Sequence, residues 1–137
     1  MKSGWYAGIA GAGAILGVLA DAAAAPLDAL QGAWTMEGTD CSVTFKKVGG
    51  EVRFNDRNAT QTTGIIVSGN KITAPNSNCT AGRVRQEKDH FAVQLTCSDT
   101  IMFSGLSVAF KVVDKDSFER FDPAFPDISF LYHKCTF

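Results

Sequence analysis

The residues able to do chemistry in this chain of 137 are few and widely spaced. Four cysteines, Cys41, Cys79, Cys97 and Cys135, have the chemistry to form disulfides, hold a metal or act as nucleophiles. A structural zinc site wants close pairs such as C-x-x-C, and none is present. An even cysteine count in a small exported domain reads instead as two disulfides, with no thiol left free. The two histidines are isolated: His90 adjoins the polar Lys88-Asp89 turn, and His133 stands between Tyr132 and Lys134. Neither has carboxylates at ligand spacing, so both read as surface or structural groups. Asp114, Asp116, Glu119, Asp122 and Asp127 cluster in sequence, which raises glycosidase or calcium chemistry. Asp114-Lys115-Asp116 lacks the glycine and the closing glutamate of a calcium loop, so it reads as a solvated turn. No G-x-S-x-G elbow, H-E-x-x-H helix or glycine-rich phosphate loop occurs. The expectation is a protein without enzymatic activity, metal or cofactor. Asn58-Ala59-Thr60 and Asn78-Cys79-Thr80 are glycosylation-type triplets that matter only in a eukaryotic source, and the Ala-rich leader looks bacterial.

Composition narrows the classes further. Thirteen basic against 14 acidic residues, net -1, argue against a nucleic-acid binder. With 45% hydrophobic and 20% charged residues the chain is globular, and its length suits one domain. Residues 3–20 are uncharged and rich in Ala, Gly, Leu, Ile and Val; Lys2 precedes them and the small-residue run Ala20 to Ala25 follows. That pattern reads as a secretory signal peptide over residues 1–22, with A-x-A sites ending at Ala22 or Ala24. A membrane anchor is the rival, since the stretch is near spanning length, but it is weakly apolar and lacks a basic stop. Cleavage would leave residues 23–137 as a single periplasmic or secreted domain with no stable membrane span. Lys2 and Asp21 leave together, so the mature chain keeps its charge of -1.

The mature segment reads as hairpin after hairpin. Only Pro26 to Gln31 has the look of a short helical turn, stopped by Gly32. Beyond it the pattern has period two. Cys41, Val43 and Phe45 alternate with polar residues, and Gly49-Gly50 is a two-residue turn that sets Phe45 opposite Phe54. Gly69-Asn70 sets Val67 opposite Ile72 in the same way. A polar turn at Glu87-Lys88-Asp89 joins Gly82–Arg85 to Phe91–Leu95, and Ser104-Gly105 reads as a turn or bulge. Long connections are expected at 55–61, 75–81 and 121–127, and a last strand from about Asp127 to Thr136. About eight or nine short strands without a crossover helix predict an all-β, antiparallel up-and-down barrel of about eight strands, because closure removes exposed edges. A sandwich would need longer Greek-key connections. A three-residue turn at 87–89 puts Cys79 opposite Cys97, which leaves Cys41 for Cys135 and ties the first barrel strand to the last.

Leu30-Gln31-Gly32-Ala33-Trp34, a G-x-W element after a short helical turn, resembles the opening of the calycins, the lipocalin-like barrels. The resemblance implies a small β-barrel in which Gly32 and Trp34 plug one end, with Trp34 packed under a basic side chain near the last strand, Arg120 or Lys134. The longer pattern Leu30-x-Gly32-x-Trp34-x-Met36-x-Gly38-x-x-Cys41 is similar to that of the bacterial periplasmic metalloprotease inhibitors of the Inh type. That similarity implies a protease partner met by an N-terminal arm, Ala23, Ala24, Ala25, Pro26 and Leu27, extended by its proline. Two readings follow: a binding protein for a small apolar ligand or a protein partner, or a periplasmic protease inhibitor. All ten Phe lie in the mature segment, and bulky aromatics fill a narrow eight-stranded barrel. Phe121 and Phe125 are placed to rim a cavity mouth. A ligand-sized internal volume of at least ~300 Å³ would separate the readings.

Overall fold

The computed structural model of the chain describes residues 25–56, 63–99 and 102–137. The expected signal peptide, Ala23, Ala24 and the Asn58 triplet lie outside them. The fold is a closed antiparallel barrel of eight strands, as the hairpin pattern predicts. Its wall contains β1 (Gly32–Met36), β4 (Ile65–Ser68), β5 (Lys71–Ala74), β6 (Ser77–Gln86), β7 (Phe91–Ser98), β8 (Phe103–Asp114), β9 (Ser117–Phe121) and β10 (Ser129–Cys135). β4 to β10 form a meander, and β1 closes the ring between β10 and β4. A helical turn, α1 (Ala25–Asp28), precedes β1. Among the described residues no helix is long and apolar enough to cross a membrane.

One hairpin stands outside the ring. β2 (Phe45–Val48) and β3 (Glu51–Phe54) form their own two-stranded sheet. The glycine turn fixes their register as expected: Gly49 and Gly50 both hold positive φ, and Phe45 faces Phe54. The alternation beginning at Cys41 misleads, however. Residues Cys41–Thr44 form a second helical turn, α2, and Val43 is exposed. The chain leaves β1 through Gly38 (φ +89) and folds back along the outside of the wall. Phe45 and Phe54 then pack with Ala33 and Cys135 in a small second core. The Asn55 side chain clamps the base by donating to the carbonyls of Ser42, Val43 and Phe45. Gly64 permits the approach: a Cβ there would stand 2.5 Å from Thr44 Cγ2 and 2.8 Å from Phe45 Cζ.

Other expectations change in detail. Gly69-Asn70 pairs Val67 with Ile72, as its turn chemistry predicts. The supposed connection 75–81 is mostly strand: Pro75-Asn76 is a tight turn and Ser77 opens the ten-residue β6. Gln86 faces Phe91, so the β6–β7 turn holds four residues, not three. A bulge between Ala81 and Val84 then shifts the register by one and restores Cys79 opposite Cys97. Ser104 and Gly105 are neither turn nor bulge but run straight within β8, opposite Cys97 and Thr96.

Both disulfides pair as expected, Cys41–Cys135 and Cys79–Cys97, and among the described residues no cysteine is free. Cys41 is carried by α2, not by a barrel strand, so this bond ties the α2 turn and its hairpin to the end of β10.

Candidate functional site

The barrel has a sealed end and an open one. At the sealed end Trp34 is 1% exposed and donates its indole N–H to the Leu30 carbonyl at 2.7 Å. An indole buried without such an acceptor would carry a desolvation cost, so this bond is what lets tryptophan serve as the plug. Leu30 and Leu27 pack beneath it in the main core. Gln31 locks the neighbouring turn, accepting from Gly69 N–H at 2.8 Å and donating to Gly69 O at 3.0 Å. Lys134 faces Trp34 across the β1–β10 ladder and lays its Nζ 5.6 Å from the ring centroid. Gly32 makes room for that side chain, since a Cβ would stand 3.2 Å from Lys134 Cε, and its φ of +119° suits glycine.

Arg120, the other sequence candidate for the Trp34 contact, lies elsewhere. It is two residues beyond the buried Phe118 on β9 and therefore shares its inward face. Its guanidinium sits over the rings of Phe130 and Tyr132, at 5.6 and 5.8 Å. The α1 turn also departs from expectation. Ala25, Pro26 and Leu27 belong to a helical turn, not an extended arm, and Leu27 is 3% exposed within the core. A leucine followed by a tryptophan plug seals better than it reaches.

Aromatic packing fills the middle of the barrel. Trp34 meets Phe118 edge-on, Phe118 stacks on Tyr132, and Phe110 packs against both Phe118 and Phe91. Burial of the Tyr132 phenol raises its pKa above the usual range.

The wall changes toward the far end of β9. β8 runs on past Phe121, and its residues from Phe103 to Val108 pair with β7 but have no β9 partner. The loop from Asp122 to Ile128 crosses this opening, held by its own turns: Asp122 Oδ1 accepts from Ala124 N–H, and Asp122 O from Phe125 N–H. The result is a notch of about 290 Å³ lined by Leu106, Val108, Arg120, Phe125, Ile128 and Phe130, among others. Phe125 and Ile128 are 63% and 60% exposed, and Leu106 and Phe130 are also exposed. Sequence reasoning places Phe121 and Phe125 at a mouth and misses Leu106, Ile128 and Phe130. The alternation Ile128, Phe130, Tyr132 leading into β10 is the signal that would find two of them.

Two further clefts are polar or charged in character. One of about 690 Å³ separates the β2–β3 hairpin, with Lys46, Glu51 and Arg53, from Ile66, Ser68 and Thr73 on the wall. The other, about 300 Å³, lies on β5 to β7 among Thr73, Asn78, Thr80, Thr96 and Ser98.

The remaining titratable groups are spread out. His90 Nδ1 bonds Asp89 Oδ1 at 2.8 Å, which lowers the carboxyl pKa. Asp114 is lowered by the N–H of Asp116 and by Ser117, as suits a turn between β8 and β9. Among the described residues no three His, Cys, Asp or Glu converge into a metal-holding group. Compared with protein-family models, curated proteins and solved structures, the chain matches none.

Proposed function

We propose that this chain is a non-enzymatic binding protein of calycin type, exported to the periplasm or beyond, that takes a small apolar ligand in the notch at its barrel mouth. The observation that carries the reading is the gathering of exposed Leu106, Phe125, Ile128 and Phe130 around one concavity above a filled interior. Exposed apolar side chains scattered singly need no explanation, but a set converging on one cleft marks a binding surface. The volume, about 290 Å³, falls just below the ligand-pocket range and belongs to an open notch and not to an internal cavity, which favours a small ligand over a bulky one. Two disulfides suit an oxidising compartment. The inhibitor reading loses support, because its arm was to include Leu27, and Leu27 is core.

The test is titration of the full oxidised chain with the neutral fluorophore N-phenyl-1-naphthylamine. Saturable binding of one probe per chain is expected, weakened at least tenfold by Phe125→Ser, a change at an exposed loop position. Binding indifferent to that substitution would end the proposal. Inhibition of a secreted metalloprotease by the same chain would revive the alternative.

A further inference from the structure

The outer face of β5 to β8 carries a polar set that the notch does not use. Between the outward positions the strands turn Ile72 and Cys97 into the core, and Cys79 packs against the same core. The register lays the outward residues in two rows. One runs Thr73, Asn78, Ser98, Phe103, and the other Lys71, Thr80, Thr96, Gly105. The Cys79–Cys97 disulfide lies between the rows and pins β6 to β7 at this register. Both rows, Gly105 apart, line one cleft of about 300 Å³. Just beyond it Gln94 and Ser107 satisfy each other, the hydroxyl donating to the amide oxygen at 2.8 Å. The side chains of Thr73, Asn78, Thr80, Thr96 and Ser98 have no such partner among the described residues. Their hydrogen bonds go to water, which the hydroxyl groups of a ligand replace in kind. Phe103 is 84% exposed at the end of its row, and Gly105 sets no side chain beside it. An exposed ring standing alone needs no account. Here it completes a cleft whose other groups all seek hydrogen bonds.

We propose that this face binds a neutral oligosaccharide of β-1,4-linked pyranose units. A pyranose carries hydroxyl groups around its rim and C–H bonds on its faces. The rim matches threonine and serine hydroxyls and the asparagine amide, which both donate and accept. The C–H face lies on the Phe103 ring, whose face is electron-rich. Neighbouring strands stand about 4.8 Å apart. That spacing is close to the repeat of an extended β-linked chain, so successive sugar units meet successive strands. Lys71 is the one charged residue lining the cleft, and no acid lines it. Such a lining matches a neutral polyol better than a polyanion or a basic peptide. The disulfide fixes the spacing of the polar groups before the ligand arrives, which lowers the ordering cost of binding. The site lies on the outside of the wall and does not rest on the reading of the notch.

Calorimetric titration of the full oxidised chain tests the proposal with three probes. Cellotetraose and chitotetraose share the extended β-1,4 chain and differ at C2, whereas maltotetraose has the α-1,4 linkage and curves. Saturable binding of at least one of the first two is expected, one per chain, with no saturation by maltotetraose at the same concentrations. Phe103→Ala should weaken binding at least tenfold. Thr80→Val with Thr96→Val, which keeps the side-chain shape and removes two hydroxyls, should weaken it at least threefold. Unchanged thermal melts show that these variants keep the barrel. Phe125→Ser, at the notch, should leave sugar binding as it is. No saturation by either β-linked probe, equal binding of maltotetraose, or affinity that survives Phe103→Ala would overturn the proposal. Loss of sugar binding through Phe125→Ser would overturn it too, by placing the sugar in the notch.

Discussion

Each end of the barrel carries a cation laid over aromatic rings, Lys134 on Trp34 and Arg120 on Phe130 and Tyr132. Around Lys134 the ring is wholly buried, its N–H is bonded to Leu30, and the neighbouring turn is latched by Gln31. Around Arg120 one ring, Phe130, is exposed while Tyr132 is buried, and the loop above is held by its own turns. The disulfides are divided as well. Cys41–Cys135 binds the hairpin to the seam beside Ala33, whereas Cys79–Cys97 lies on the wall that continues past the notch. The same pairing of cation and ring therefore stands over a buried, hydrogen-bonded indole at one end and beside an exposed phenylalanine at the other.

Stability should be concentrated at the sealed end. Removing the long-loop disulfide with Cys41→Ser and Cys135→Ser should cost about 4.7 kcal/mol on chain-entropy grounds, against about 3 for the Cys79–Cys97 pair, whose sequence separation is 18 and not 94. Denaturant midpoints of the two double variants measure this, and equal losses would deny the seam its special place.

Trp34→Ala should cost about 3–5 kcal/mol through the cavity it leaves, while Phe125→Ala at the mouth should stay within about 0.5 kcal/mol. Thermal melts of the two would break the comparison if the losses proved similar.

The smallest effect belongs to Tyr132, which stacks on Phe118 beneath Arg120. Its folded pKa is raised by burial, so its contribution is complete below about pH 10 and is lost as pH rises through the folded value. Tyr132→Phe should remove that alkaline loss. Stability measured at pH 8 and pH 11 should fall less in the variant than in the parent chain. Parallel falls would mean that Tyr132 ionises as it does in the unfolded chain.

The barrel is legible in the sequence because two-residue turns dictate register: Gly49-Gly50 and Gly69-Asn70 each specify their strand partners by turn chemistry alone. Cys79 opposite Cys97 follows from a three-residue turn only because two offsets cancel. The turn is one residue longer, and a bulge takes the residue back. Bulges leave little trace in alternation, which is why the register near the turn is hard to read. The place of β2 and β3 outside the wall is hidden for a different reason. Period two reports a half-buried strand and not the surface it packs on, so Phe45 and Phe54 look the same facing an outer core as facing a barrel. At the site, Trp34 and Lys134 are recognisable as plug and partner, and Phe125 as a mouth residue. The role of Arg120 is not, because the choice between two cations depends on which end of β9 and β10 each occupies.

The displaced hairpin also sets the order in which the molecule can assemble. Every neighbour within the meander from β4 to β10 is joined by a connection that closes locally. β1 alone pairs with distant partners: Ala33 faces Ile66 on one side and Cys135 on the other. Such closures pay their loop entropy before any contact rewards it, and they slow folding. The order expected on that ground has the wall forming first as an open curved sheet, with the strand bearing Trp34 inserted once β10 is in place.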